Sequence, residues 1–202
     1  MEETTTRRHS SREAIIAAAT ELIRTRGVAG TSISDVIAAS GTSAGAIYHH
    51  FGSKERLVLE VGKAAIAVPM TMIMRTSPGL SPASLFAAAL GRLSGSDGLA
   101  EMLLQVWSGA RSDPGLQALL RAEVDTAQSS VVAYLAVWCH QNAPDTDPAA
   151  LASLIMGLIT GYAVQQALGA SLDADAYRDL GVRLLAQALG DSDPANGVPD
   201  SV

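Results

Sequence analysis

Residues 41–55 read GTSAGAIYHHFGSKE. The first five, Gly41-Thr42-Ser43-Ala44-Gly45, fit G-x-S-x-G, the pattern of a serine hydrolase nucleophile elbow. An elbow needs a strand before its serine and a helix after it. The residues before Ser43 run Ser32-Ile33-Ser34-Asp35-Val36-Ile37-Ala38-Ala39-Ser40, with apolar positions at 33, 36 and 37. That is helical spacing, opened by a Ser32-x-x-Asp35 capping box and stopped by Gly41. A hydrolase of this type also requires a larger chain of alternating strands and helices, with its acid and histidine after the serine. His140 follows Ser43, but nothing marks it as a base. The stretch reads instead as helix 33–40, a turn through Gly41-Thr42, and helix 44–50: a helix-turn-helix. Gly41 suits the left-handed exit from the first helix. Ala44, Gly45 and Ala46 are small, so the start of the second helix can sit close to a groove floor and to phosphates. Tyr48, His49 and Lys54 then supply donors toward phosphate oxygens and base edges.

Helical periodicity extends in both directions. Ser10-x-x-Glu13 forms a capping box, after which Ile15, Ile16, Ala19, Leu22 and Ile23 recur at helical spacing up to a Gly27 stop. Ser43 is placed to cap the helix carrying Ile47 and Phe51 inward. Ser53 is placed to cap the next, with Leu57, Val58 and Val61 on its apolar stripe. This fourth helix is expected to run from Lys54 to about Arg75. Breaks follow at Ser77-Pro78-Gly79, Ser94-Gly95-Ser96, Asp113-Pro114, Asn142-Ala143-Pro144 and Ser171-Leu172-Asp173. No run alternates with period two, so no sheet is expected. The pattern predicts an all-α chain of about nine helices. Three belong to a DNA-reading domain at 1–52, the rest to a helical domain at 53–190, and 191–202 form a disordered tail rich in Asp, Pro and Gly.

Composition is that of a globular chain, 202 residues with 48% hydrophobic and 17% charged. One cysteine, Cys139, excludes an internal disulfide framework and suits a reducing compartment. The N-terminal MEETTTRRHSSRE has no apolar core of a signal peptide, so a cytoplasmic location is expected. Net charge is −6, yet residues 7–63 hold eight Lys/Arg against five acids, and residues 64–202 hold six against thirteen. One polyanion-facing module and one acidic remainder fit that asymmetry. Arg7, Arg8 and Arg12 either reach phosphate or minor groove as an arm or form a solvated tail.

The charge-free run 148–172 is long enough to span a bilayer. Ser153, Thr160, Gln165 and Gln166 interrupt it, and its flanks are Asp147 and Asp173 rather than basic residues. A helix buried by its own core and a partner chain explains it better, with Gly157 and Gly161 admitting close approach at a dimer interface. Adjacent side chains diverge on a helix, so neither His49-His50 nor Cys139-His140 makes a metal or catalytic pair; no metal and no cofactor is expected.

Residues 12–57 resemble the DNA-binding domain of the TetR/AcrR family of bacterial transcriptional regulators. The matching residues are Ala18-Ala19-x-Glu21-Leu22-Ile23, then Gly27-x-x-Gly30-Thr31-Ser32-Ile33-x-Asp35-Val36. The match continues through Ser40-Gly41-x-Ser43-x-Gly45-Ala46-Ile47-Tyr48-His49-His50-Phe51-x-Ser53-Lys54-Glu55-x-Leu57. The resemblance implies backbone contacts at Thr31 or Ser32, Tyr48 and Lys54, and groove contacts at Thr42, Ser43, Gly45, Ala46 and His49. Ala44 and Ala46 are short for direct base readout.

The resemblance further implies a homodimeric repressor that binds palindromic operator DNA and is released by a small-molecule effector, and not an enzyme. Met70, Met74, Met102, Trp107, Tyr134, Trp138, Met156 and Tyr162 fit an ordinary helical core and equally the wall of an effector pocket. Both Trp lie in the expected sensing domain, which favours the pocket, and the lack of an obvious buried charge there suits a largely apolar effector. The remaining alternative is a helical effector-binding protein without specific DNA binding.

Overall fold

The computed structural model describes residues 2–95 and 98–190, without the side chains of 2–10, 65, 66, 68 and 69. The expected 191–202 tail lies outside the described residues. Among the described residues there are ten α-helices, one π-turn and no strand. The first four helices are α1 (Glu2–Arg26), α2 (Ile33–Ser40), α3 (Ala44–Phe51) and α4 (Lys54–Gly62). After a π-turn at Lys63–Ala67 come α5 (Val68–Thr76), α6 (Pro82–Ser94), α7 (Leu99–Ser112), α8 (Pro114–Asn142), α9 (Pro148–Ala167) and α10 (Ala174–Leu189).

Two expectations about helix ends are corrected. Helix α1 begins at Glu2, so Ser10 stands inside it and not at its start. The expected single helix 54–75 is split into α4 and α5, which raises the count from about nine to ten. Pro69 is the cause: it has no N–H to donate back along the helix. The ladder loosens into the π-turn and resumes with Pro69 in the first turn of α5, where a missing donor costs least.

The chain divides into two compact units, Met1–Ile66 with Glu101–Glu123, and Ala67–Ala100 with Val124–Val202. This differs from the expected division at residue 52, because α7 and the first part of α8 pack with the N-terminal helices. In the first unit α1 buries Ile15, Ala19, Leu22 and Ile23 against α2, α3 and α4. Those helices contribute Val36, Ile47, Phe51, Leu57, Val58 and Val61. Gly27 ends α1 at φ 72°, its N–H donating to the Ile23 carbonyl. Val28 then seats on Gly109 of α7, where an added Cβ would lie 2.7 Å from the Cβ of Val28.

In the second unit α6 is buried along most of its length, including Leu85, Phe86, Ala89 and Leu90. It packs on α9 and α10. The buried Ser84 hydroxyl is satisfied by Ser81, the cap residue of the same helix. Gly181 of α10 lies so close to Phe86 that a Cβ there would stand 2.3 Å from its ring. Phe86 and Tyr162 flank Tyr177, with centroids 6.4 and 5.2 Å away, and the Tyr177 hydroxyl donates to the Leu158 carbonyl at 2.9 Å. Full burial of the Phe86 side chain contributes about 1.5–3 kcal/mol.

Replacing Gly181 by Ala forces a methyl into Phe86, so unfolding free energy should fall by about 1–3 kcal/mol in urea titrations. Gly91→Ala on the same helix pair meets open space. It should instead raise stability by about 0.5–1 kcal/mol through helix propensity.

Candidate nucleic-acid interface

Helix α2 starts with a complete capping box. The Asp35 N–H donates to Ser32 Oγ at 3.1 Å, and the Ser32 N–H donates to Asp35 Oδ2 at 2.8 Å. The Ser32 hydroxyl, then its backbone N–H, hold the Asp35 carboxyl below its ordinary value, and Arg26 and Lys54 lower it further. Helix α2 ends at Gly41, φ 66°, whose N–H donates to the Ile37 carbonyl at 3.0 Å. In the turn the Ser40 and Thr42 hydroxyls are 2.7 Å apart. Ser43 caps α3 by accepting from the Ala46 N–H at 3.2 Å.

That cap disposes of the elbow reading. Ser43 follows a helix and not a strand, and its oxygen serves the backbone of the next helix.

Helix α3 is anchored by Ile47 and Phe51, which are 0% and 5% exposed. Its outward positions follow from that anchoring. Ser43, Ala44, Gly45, Tyr48 and His49 are exposed, and Thr42, Ala46 and Lys54 are half-buried. Tyr48 is 53% exposed, unusual for a large ring on a folded surface. Gly45 has room for a side chain, with only Ser43 Oγ near at 3.7 Å, so packing does not demand glycine there. The N-terminus of α3, with its partial positive charge, opens onto the same exposed surface.

Two expectations change. Thr31 is buried, and its hydroxyl donates to the Gly27 carbonyl at 2.8 Å. Its side chain therefore serves the α1–α2 corner, and Ser32 is the exposed residue of the pair. Arg12 is neither arm nor solvated tail: it pairs with Glu60 and covers the Phe51 ring. Arg7 and Arg8 lie outside the described side chains. Sequence spacing had no means of showing the Arg12–Glu60 pair, because its partners are 48 residues apart.

The eight residues assigned to an effector pocket do not share one unit. Met102 and Trp107 belong to the first, the other six to the second. Met102, Trp138 and Tyr162 are buried core. Tyr134 holds the α5–α6 loop: its hydroxyl donates to the Ser77 carbonyl at 2.5 Å and accepts from the Leu80 N–H at 2.9 Å. Burial raises its pKa above the ordinary tyrosine value. The Tyr162 hydroxyl accepts from Gln166 at 2.7 Å. Met70, Met74 and Met156 are half-buried. Two clefts have other linings. One of about 210 Å³ in the first unit includes Val28, Lys54, Val58, Asp113 and Leu116. The other, about 490 Å³ along α8, includes Asp125, Ser129 and Ser130. Cys139 is buried and His140 exposed, so the two side chains diverge. Burial, then Asp147, raises the Cys139 thiol pKa, as fits an inert core thiol.

Residues 15–61 match the family described as bacterial regulatory proteins, tetR family, and residues 83–190 match the C-terminal domain of the BetI-type transcriptional repressors. The second match alone spans more than half of the chain. The chain belongs to the TetR family of bacterial transcriptional regulators. It is 45% identical over 51 residues to the HTH-type transcriptional regulator LmrA of Bacillus subtilis, covering 25% of this chain and 27% of that protein. It is 38% identical over 79 residues to the HTH-type transcriptional repressor Rv3405c of Mycobacterium tuberculosis, covering 39% of this chain and 40% of that one. These matches thus span between a quarter and two fifths of those relatives' length. A transcriptional regulator from Aquifex aeolicus has the same fold, with TM-score 0.70, 17% identity, and coverage of 88% of this chain and 99% of that one. The helix-turn-helix of this TetR-family chain lies within the segment that matches the tetR-family description.

Ser43→Ala removes the α3 cap and should lower stability by about 0.5–2 kcal/mol in thermal or urea unfolding. Ser43→Asp keeps a capping oxygen and should restore most of that loss.

Proposed function

We propose that this TetR-family chain is a ligand-responsive repressor that binds palindromic operator DNA as a homodimer. A small, largely apolar effector releases it. The observation that carries this reading is the outward face of α3, where buried Ile47 and Phe51 leave Ser43, Gly45, Tyr48 and His49 free to meet a duplex. Gly45 and Ala46 allow close approach of the backbone. The Tyr48 hydroxyl and Lys54 donate to phosphates beside the exposed Ser32 cap; Thr42, Ser43 and His49 reach into the groove. Ala44 and Ala46 offer apolar contact only.

Dimerisation is supported by α9 and α10. On α9 the exposed stripe includes Leu154, Gly157 and Thr160, with Leu168 just past its end; on α10 it includes Leu180 and Leu184. Gly157 and Gly161 face open space, which a helix of a second copy would fill. Helix α9 is long and apolar enough to cross a membrane by length and composition. Its exposed side also carries Ser153, Thr160 and Gln165, and Gln128 donates to Ser153 at 3.2 Å, which suits a protein partner better than lipid. A cytoplasmic regulator with no membrane partner follows from this reading.

A two-fold dimer presents two copies of α3 about 34–36 Å apart, or a multiple of that, to successive major grooves. An effector bound in the second unit acts only by favouring a state of the dimer with a different spacing. The hydroxyls of Tyr134 and Tyr162 are already engaged internally, which is consistent with an effector held mainly by apolar contact. Ser43 is a cap in this reading, and the protein is a regulator and not an enzyme.

The test is selection of duplexes from a randomised pool by the purified protein. Enrichment of an inverted repeat is expected; equal retention of all sequences would favour an effector-binding protein without operator recognition. On the selected duplex, Lys54→Ala should weaken binding and lower the slope of log Kobs against log salt by about one per reading head. Joint replacement of Leu154, Leu180 and Leu184 by Asp should give a monomer in sedimentation velocity and weaken operator binding about 100-fold or more. A triple variant that stays dimeric would refute the α9–α10 interface.

A further inference from the structure

We propose that Arg12 is a positioning residue for the recognition helix, acting through Phe51 and an ion chain that reaches α8. The inference rests on the operator-reading proposal and adds a residue that touches no DNA. The Arg12 guanidinium carbon lies 5.6 Å from the Phe51 ring centroid, within cation–π range. The same guanidinium donates to Glu60 of α4. Glu60 Oε1 lies 3.5 Å from Lys63 Nζ, and that ammonium lies 3.4 Å from Glu123 Oε2 on α8. Four groups of alternating sign thus connect α1, α4, the start of the π-turn and α8 within the first unit.

Phe51 is the last residue of α3, and Tyr48 stands one turn before it on the neighbouring face. Any roll of α3 about its axis that shifts Phe51 therefore turns Tyr48 and His49 with it. An eight-residue helix holds no fixed orientation by its own backbone, so its angle is set by what grips its buried side chains. Ile47 grips it near the middle, and Arg12 closes over the end. A planar guanidinium can stack on a ring and bridge to a carboxylate at once, which an ammonium cannot do as well. The charge of Arg12 is also spent on Glu60, which separates it from Lys54 as a phosphate donor. The Arg12 side chain keeps 42% exposure and Glu60 29%, so the pair contributes little to global stability. Its effect belongs to orientation.

The experiment compares Arg12→Met, Arg12→Lys and Glu60→Gln in the full-length chain. Each is titrated against the duplex that the wild type selects and against a scrambled duplex of equal length, over a range of salt. Folded fraction is checked by circular dichroism. Arg12→Met should weaken the selected duplex about three- to tenfold, leave the scrambled duplex unchanged, and keep the salt slope of the wild type. Arg12→Lys should recover part of the loss. Glu60→Gln should show the same pattern with a smaller change, and decides the matter if Arg12→Met does not fold. A salt slope lower by about one per head would make Arg12 a phosphate contact and overturn the inference. Equal losses on both duplexes, or none on either, would overturn it too. If the wild type enriches no sequence, operator reading fails and takes this inference with it; if the wild type enriches one and the variants match it, the positioning role alone fails.

Discussion

The apolar stripe of α1 is the constraint on which the reading head depends. Helices α2, α3 and α4 have eight, eight and nine residues, each too short to persist alone in water. They exist because Ile15, Ala19, Leu22 and Ile23 give Val36, Ile47, Phe51 and Leu57 somewhere to be buried. Caps at Ser32, Ser43 and Ser53 decide where each helix starts, and Gly41 decides where α2 stops. Burial on one side fixes exposure on the other. The outward set at Ser43, Gly45, Tyr48 and His49 is thus a consequence of packing before it is a feature of recognition.

The head does not end where its three helices end. Val28 rests on Gly109, and Lys63 reaches Glu123, so α7 and the first turns of α8 are part of the same compact unit. A division of labour drawn along the chain would miss this, since residues 101–123 follow the π-turn by more than thirty positions. Residues 114–123 of α8 are assigned to this unit and 124–142 to the other, and the π-turn ahead of Pro69 is wider than an α-helical turn.

Local chemistry was legible in the sequence and long-range chemistry was not. The Ser32 box, the Gly27 and Gly41 stops and the Ser43 cap each depend on residues within four positions, and each was readable from spacing. The inward roles of Ile47 and Phe51 followed from helical periodicity. The start of α1 differs from the expectation because Ser10-x-x-Glu13 has the pattern of a cap inside a helix that runs past it. Spacing leaves Thr31 and Ser32 as alternatives for phosphate, and the Thr31 hydroxyl bond to the Gly27 carbonyl, at a left-handed glycine, is visible only in the structure. The sequence leaves Arg12 open between an arm and a solvated tail, since neither Glu60 nor Phe51 is near it along the chain. The Met and aromatic set shared composition but not location, because hydrophobicity alone does not tell which core a side chain joins.

Helix α6 makes a demand on the order of events as the protein is made. Phe86 cannot be covered until Gly181 arrives, about 95 residues later along the chain. At synthesis rates of roughly 5–20 residues per second, Leu85, Phe86 and Leu90 wait for about 5–20 seconds without their cover. The stripe of α1 meets α2 to α4 early, yet Val28 waits about 80 residues for Gly109 of α7. Each unit therefore holds apolar surface that only a later segment of the nascent chain covers.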